Sequence, residues 1–446
     1  MEREEVELLP SGLITCLLNI KEVRIMKISP ERLTIRLAQE IKEINELKVI
    51  FHIFDENRYE EITIEKYNLI NKEKHEFYIT YVFSIKDEAY LQNVRNTFNN
   101  YTRYIRLKSY SDDNYFSNEM VGYPSEKDYD FYEDYISQKQ EWMTNLNYDS
   151  FNYSILNSVE LAINIDNYEL YNKYLNEDIE VFVDNYLKNN FIEKHKLMHK
   201  NISRIYIGNE FCHNLFPSLE LLIEMINKAK EENLEITICF TYIRECYIEK
   251  TRYIIEKIYD WCIENNKNIE IVINDWGMIK LVQDKSDYFI LNLGVLLNKR
   301  KKDPRYVYKK GYKENNKLIG KNNLNSYIFN RFLNENNIKR YEYENCGYDI
   351  EIAEGNHSLH IPFYVTNTSQ YCTLYAMCTT MNRGNQKLVK GCPMYCKEYI
   401  FSYPKHLKMV GRYNSLFAFD DTLLKDFEKL EHYIDNGIDR IVLNFI

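Results

Sequence analysis

Apolar and polar residues alternate with a period of two in several stretches of the N-terminal part of the chain. The clearest stretches are 23–28, 32–37, 48–54 and 76–83. This spacing is typical of half-buried antiparallel strands separated by polar turns. An amphipathic stretch at 87–101 predicts a helix after them. We therefore predict a small β-barrel-like domain, closed by a helix, over residues 1–108.

The next segment, residues 109–195, is acidic and rich in Tyr, Asn and Asp. Helical spacing of apolar residues returns at 155–163 and again at 168–182. We predict an irregular and helical connector here, with no residues that indicate a particular chemistry.

From residue 196 onwards, short apolar runs alternate with amphipathic helical stretches. Predicted helices at 217–233, 250–265, 323–336 and 421–433 separate strands at 203–208, 235–240, 269–273, 288–293, 338–343, 357–365 and 439–445. Strands that alternate with helices favour parallel β/α units. The predicted fold class is therefore α/β, with a complete or partial TIM-like (β/α) barrel over residues 196–446.

Composition and charge limit the function classes. Of the 446 residues, 45% are hydrophobic, but the apolar runs are shorter than the roughly 18 residues of a membrane span. We expect no membrane contact. The formal net charge of −10 argues against general nucleic-acid binding. The basic stretch 299–313 reads as a solvated loop and leaves only a local RNA contact open.

The start of the chain shows no basic and apolar signal segment, so a cytoplasmic protein is expected. The 40 Tyr residues, against only 13 Gly and 8 Pro, are typical of an AT-rich bacterial genome.

Four of the ten cysteines lie within 25 residues, around a polar loop: Cys372, Cys378, Cys392 and Cys396. In a reducing compartment, clustered thiols serve as ligands or catalysts more often than as disulfides. Zinc and iron–sulfur clusters both accept four thiolates. The residues alone leave a cluster, zinc and a metal-free arrangement open.

In a barrel, functional side chains gather at the carboxyl ends of the strands. Cys212 follows the strand at 203–208 and would reach the cysteine loop there, with His213 placed to hydrogen-bond a ligand sulfur. Asp275 follows the strand at 269–273, either as an acid or base or as a turn residue. Arg300 and Arg305 are candidates to hold an anionic substrate.

Several motifs carry a resemblance to a known family. They are Tyr-Ile-Gly-Asn-Glu-Phe-Cys at 206–212, Asn-Asp-Trp-Gly at 274–277, and Cys378 followed after thirteen residues by Cys392 and after three more by Cys396. Over residues 200–446 they resemble peptidase family U-thirty-two, the collagenase-like peptidases, and most of all its branch of oxygen-independent ubiquinone-biosynthesis and tRNA-hydroxylation proteins.

The resemblance implies a TIM-like barrel that holds a 4Fe-4S cluster. In the matching branch the ligands would be Cys212, Cys378, Cys392 and Cys396, with Cys372 as an alternative ligand and zinc as the alternative metal. The N-terminal strands, with a turn at Ile28 and Ser29, also resemble PilZ domains, which bind cyclic dinucleotides. Here Lys27 and Arg32 replace that family's acidic or amide residue and its glycine, so no nucleotide binding is expected.

Three functions follow as hypotheses. The first is an iron–sulfur protein that supports a redox or hydroxylation-type modification of a substrate at the barrel mouth. The alternatives are a peptidase acting on protein or peptide substrates, and a non-enzymatic binding or scaffold protein with a structural metal site. The sequence defines neither the substrate or partner nor the oligomeric state.

Overall fold

The structure is a computed structural model of the chain, and it describes residues 13–53, 58–110, 130–144, 146, 156–304, 317–380, 384–403 and 407–446. The side chains at 103–110, 130, 196 and 199 are outside this description. Backbone contacts divide the chain into two units. The first comprises Met1–Lys127 with Arg305–Asn315, and the second comprises Asp128–Pro304 with Asn316–Ile446.

Strands of the first unit pair antiparallel in one sheet. They are β1 (Ile14–Leu18), β2 (Lys21–Ile28), β3 (Arg32–Leu37), β4 (Leu47–Ile53), β5 (Arg58–Thr63), β6 (Tyr67–Lys74) and β7 (Ile79–Ile85). Within the described residues their order is β5-β4-β1-β2-β3-β7-β6. Alternate apolar side chains of β3, β4 and β7 form the core. Helix α1 (Glu88–Tyr110) contacts β4.

The predicted small β domain is confirmed as an antiparallel sheet, although three of its strands were not predicted. Strand β6 is exposed over most of its length, so it lacks an apolar face that alternation could reveal. Strand β1 is an apolar run without alternation, and periodicity alone cannot assign such a run.

The second unit contains the remaining strands. They are β8 (Asp130–Phe131), β9 (Glu160–Ile165), β10 (Arg204–Gly208), β11 (Glu235–Cys239), β12 (Ile269–Ile273), β13 (Phe289–Leu293), β14 (Arg340–Glu344), β15 (His357–Thr368), β16 (Tyr399–Ser402), β17 (Met409–Arg412), β18 (Ser415–Phe419) and β19 (Ile438–Asn444).

Eight of these strands, counted within the described residues, form a closed parallel barrel in the order β9-β10-β11-β12-β13-β14-β15-β19. The barrel closes because β19 pairs with β9 as well as with β15. Beyond the barrel, β15 continues into an antiparallel sheet with β18, β17, β16 and β8. The predicted TIM-like fold is thus confirmed.

Helices precede and connect the barrel strands. They are α2 (Tyr132–Thr144), α3 (Tyr168–Asn176), α4 (Ile179–Asn189), α5 (Leu219–Glu231), α6 (Ile248–Asn265), α7 (Gly277–Val282), α8 (Tyr327–Glu335), α9 (Thr373–Thr380), α10 (Thr422–Lys425) and α11 (Phe427–Asp435). Side-chain caps define several starts: the Ser218 hydroxyl accepts the Leu221 N–H before α5, and Asn167 accepts two N–H groups before α3. In the described residues no helix is both long and apolar enough to cross a membrane.

The barrel begins earlier than residue 196. Strand β9 lies inside the predicted connector, and the helical prediction for 155–163 is wrong from Glu160 onwards. Leu161, Ile163 and Ile165 pack under the helices while Ala162 faces the interior. Because both faces are buried, the strand lacks the polar alternation that distinguishes a strand from a helix.

The barrel interior is charged rather than apolar at its amino-terminal end. Arg440, only 2% exposed, donates to both carboxylate oxygens of Glu270 at 2.6 and 2.9 Å. Arg204 donates to Glu160 at 2.8 Å and lies 3.3 Å from Glu270. Thr237 and several other interior groups complete the hydrogen bonds of this network.

Candidate functional site

The cysteines that were predicted as ligands lie beyond the carboxyl ends of barrel strands. Cys212 follows β10, Cys372 and Cys378 lie at the two ends of α9 after β15, and Cys392 and Cys396 lie in the loop before β16. All ten cysteines of the chain are free thiols. No disulfide therefore prevents the candidate cysteines from acting as ligands.

Four of these thiols lie close enough to act on one another: Cys212, Cys372, Cys392 and Cys396. Burial raises the pKa of Cys212, and the other three thiols raise it further. Burial likewise raises the pKa of Cys372 to about 12, with contributions from Cys396 and Cys392. Thiols with such pKa values are protonated at neutral pH, and a bound metal would have to displace their protons.

Cys378 stands apart from this group. Burial raises its pKa to about 11 with no contribution from another cysteine. The reason is helical geometry: Cys378 follows Cys372 by six residues, which corresponds to about 9 Å along the axis and a different helix face. Cys372, Cys396 and Cys392 thus raise the pKa of Cys212, and Cys378 is not among the groups that shift it.

The backbone around Cys212 is fixed by its preceding residues. The Asn209 side-chain oxygen accepts the N–H groups of Phe211 and Cys212, at 2.9 and 2.7 Å. Gly208 has φ +121°, and a Cβ there would lie 2.4 Å from the carbonyl oxygen of Cys239. Glycine and asparagine are therefore required to turn the chain out of β10 toward the cysteine loop.

Backbone N–H groups also point at the loop sulfurs. Tyr375 donates its N–H to Cys372 Sγ at 3.3 Å, and Met394 donates to Cys392 Sγ at 3.4 Å. Asn414 ties the two segments together because its side chain donates to the carbonyl oxygens of both Phe211 and Ser369 at 2.6 Å. Hydrogen bonds of this kind tune the sulfur ligands of iron–sulfur centres.

The four cysteines fit the donor set of either predicted metal centre in number and type alone. Four free thiols at one end of a barrel match a four-iron cluster in donor type and number. Within the described part of the chain, however, no three His, Cys, Asp or Glu side chains converge on one point that could hold a metal ion. A zinc ion needs such convergence, with each sulfur about 2.3 Å from the same centre.

A cavity of about 250 Å³ adjoins Cys392. Its wall combines aromatic and polar side chains, with Phe216 and Phe240 stacked at 4.9 Å, and Lys250 supplies a positive charge. His213 also lines it, lying 5.1 Å from the Tyr242 ring. Burial, together with the charges of Arg244 and Lys250, lowers the pKa of His213 to about 4, so the imidazole is neutral at neutral pH.

Comparisons with known proteins leave the family of this chain open. No family model matches the chain, and no curated protein matches it. One solved structure, an uncharacterized Legionella protein titled Lpg0364, is 18% identical over 22% of this chain and 96% of its own, with a TM-score of 0.17. A likeness at this level carries no argument about fold or function.

The structure also shows the surroundings of two other predicted site residues, Asp275 and Arg300. Asp275 accepts the N–H of Gly277 at 2.7 Å, which is the turn role that the sequence offered as the alternative to acid or base chemistry. Arg300 lies near Glu344 and Cys346, and its Nε and Nη2 find no hydrogen-bond partner among the residues described. Arg305 lies outside the described residues.

The sequence analysis did not predict a network of polar side chains inside the barrel mouth. Asn274, rather than Asp275, points inward and donates to Glu210 at 2.7 Å. Burial raises the pKa of Glu210 to about 7, against the opposing effect of His360. His360 and Glu342 pair at 2.8 Å, both almost fully buried. The sequence did contain a signal for this network, because charged residues interrupt apolar strands, as in Arg-Tyr-Glu-Tyr-Glu at 340–344.

Proposed function

We propose that this chain is an iron–sulfur protein of the U-thirty-two, collagenase-like peptidase type. A 4Fe-4S cluster would be held by Cys212, Cys372, Cys392 and Cys396. It would support a redox or hydroxylation-type modification of a substrate at the barrel mouth. The observation that carries the proposal is that Cys372, Cys392 and Cys396 all act on the Cys212 thiol, beyond the carboxyl ends of barrel strands.

The number and type of the thiol donors suit a four-iron cluster as well as zinc. No three potential ligands among the described residues form a group that could hold a metal ion, so the choice of a cluster over zinc rests on the resemblance of the cysteine motifs alone. When bound, such a cluster supplies one-electron redox chemistry.

The chain's own residues would then bind and orient the substrate. The aromatic wall of the cavity beside Cys392 would hold a planar or apolar group, and Lys250 would attract a negative charge. Neutral His213 offers a ring nitrogen, Nε2, that is buried and has no hydrogen-bond partner among the described residues. Depending on the tautomer, this nitrogen would accept a hydrogen bond from a substrate in the cavity or donate one to it.

The test is anaerobic purification followed by absorption spectroscopy and by counts of iron and sulfide per chain. Wild-type protein is expected to be brown, with about four iron per chain. Cys372→Ala should lose most of its iron, whereas Cys378→Ala, the same change at the other end of the same helix, should keep it. Equal iron in the two variants would contradict the ligand assignment, and a colourless, iron-free wild type would refute the proposed function.

A further inference from the structure

A second cavity, of about 580 Å³, lies where β9 and β19 end. Asn167 follows β9 and Phe445 follows β19, and both line this cavity. Helices α2 and α4 and strand β17 complete its wall. It therefore opens at the same end of the barrel as the cysteine group, but it is lined by different residues.

Two buried cations face this cavity. Lys139 on α2 is 3% exposed, and its Nζ donates to the Asn190 side-chain oxygen at 2.9 Å. Arg412 on β17 is 8% exposed, and its Nε has no hydrogen-bond partner in the part of the chain that the structure describes. The Arg412 guanidinium lies 4.3 Å from the ring centre of Tyr132, which restricts its orientation.

In the described residues, neither cation forms an ion pair with a carboxylate. Glu169 pairs with Lys173 at 2.6 Å, and Asp166, which accepts hydrogen bonds from Asn167 and Tyr413, acts on Arg412 through its charge. The cavity wall also carries Glu177, Glu193, Lys173 and Lys188. Among the described residues Lys139 has no carboxylate at ion-pair distance, and burying a charge without a paired anion is costly.

The titration of Lys139 agrees with this picture. Burial, and next the charge of Arg412, lower its pKa to about 7, while Glu169 acts weakly in the opposite direction. The groups that face Lys139 are Arg412, Glu169, the Tyr135 ring at 5.5 Å and the amide of Asn190. None of these supplies a negative charge at hydrogen-bond distance.

We propose that this cavity binds a small organic anion whose carboxylate or phosphate group is held between Lys139 and Arg412. Its apolar body would pack against the rings of Phe182, Tyr186 and Phe445, which line the same cavity. Guanidinium and ammonium groups together are the usual protein partners of such oxyanions. This site does not depend on whether the cysteines hold a cluster.

The test uses the full-length chain in isothermal titration calorimetry. The probes are inorganic phosphate and glycerol 3-phosphate in one arm, and succinate and benzoate in the other. The arm that binds distinguishes a phosphate ligand from a carboxylate ligand. Lys139→Met should weaken binding by at least about tenfold, because a charge-assisted hydrogen bond is lost.

Lys257→Met is the matched control, since Lys257 is an exposed lysine on α6 that pairs with Asp260. Its binding should equal that of wild type. Wild-type binding should also weaken as the pH rises above about 7, because the anion prefers protonated Lys139, and Lys139→Met should lose this dependence. Lys139→Met should fold normally, since it removes an unpaired buried charge.

Two results would overturn the inference. One is the absence of binding by every probe to the wild-type protein. The other is equal affinity of wild type and Lys139→Met for the probe that binds.

Discussion

Arg440 is expected to be among the largest single contributors to barrel stability, and Arg440→Met tests this. Its guanidinium donates to both oxygens of Glu270, at 2.6 and 2.9 Å, and it also contacts Glu160. Removing one partner of a buried ion pair leaves the other charge uncompensated and costs about 3–5 kcal/mol. Arg204 lies 3.3 Å from Glu270 and still compensates part of its charge in the variant. We therefore expect a loss of unfolding free energy at the lower end of this range.

The pKa of Glu270 gives a second, independent value for the stability that Arg440 contributes. Burial alone would raise it, but the hydrogen bonds and charge of Arg440, with help from Arg204, lower it from 4.5 to about 2. At about 1.36 kcal/mol per pKa unit this corresponds to about 3 kcal/mol. Because the folded-state pKa is depressed, this stability is present above pH 4.5 and is lost as the pH falls toward about 2.

Tryptophan fluorescence reports on the second unit alone, since all three tryptophans, Trp142, Trp261 and Trp276, lie in it. For a unit of roughly 300 residues, a loss of 3–5 kcal/mol lowers the unfolding temperature by about 5–8 °C. The variant should also lose much of the decline in stability between pH 4.5 and 2. Both quantities are measured by urea and thermal unfolding.

Arg252→Met is the control, because Arg252 forms an exposed pair with Glu249 that should contribute less than about 1 kcal/mol. The double variant Arg440→Met with Glu270→Met removes both charges and should regain much of the loss. If Arg440→Met were no less stable than Arg252→Met, the interior network would contribute little and the reasoning would be refuted.

Two further predictions concern the barrel mouth. Gly294→Ala places a Cβ 2.3 Å from the Asn274 side-chain oxygen and should cost about 1–3 kcal/mol in urea unfolding, whereas an unchanged midpoint would show that Asn274 moves freely. Asp275→Ala loses only the hydrogen bond to the Gly277 N–H, so we expect a loss of about 0.5–1.5 kcal/mol and unchanged iron content. A fall in iron would instead place Asp275 in the metal site.

The sequence predicted the barrel from residue 203 onwards because most of its parallel strands are short apolar runs between amphipathic helices. Strand β9 was missed because Glu160–Ile165 is buried on both faces and reads equally as a helix. The choice between Cys372 and Cys378 could not be made either. It depends on where α9 begins, and helix boundaries are poorly defined by sequence pattern.

Buried charges were the hardest feature to predict. Lys139 lies in a polar, helical stretch, and the pattern of this stretch predicts an exposed side chain. In the structure Lys139 is buried, hydrogen-bonded to Asn190 and close enough to Arg412 to be affected by its charge. Both partners are distant from Lys139 in sequence. Arg440 likewise meets Glu270 across the barrel. Such pairs arise from closure of the barrel, and a local pattern carries no information about which strand lies opposite.

Arg412 joins the two proposed sites, and this allows them to be tested against each other. Its charge opposes the effect of burial on the pKa of Cys396, so it stabilises a thiolate there, and it also lines the Lys139 cavity. Arg412→Gln is therefore expected to reduce both iron content and anion binding. Lys139→Met should reduce anion binding alone, because no effect of Lys139 on a cysteine is found among the described residues. Loss of iron in both variants would mean that the cavity supports the cysteine loop as a whole rather than a separate ligand.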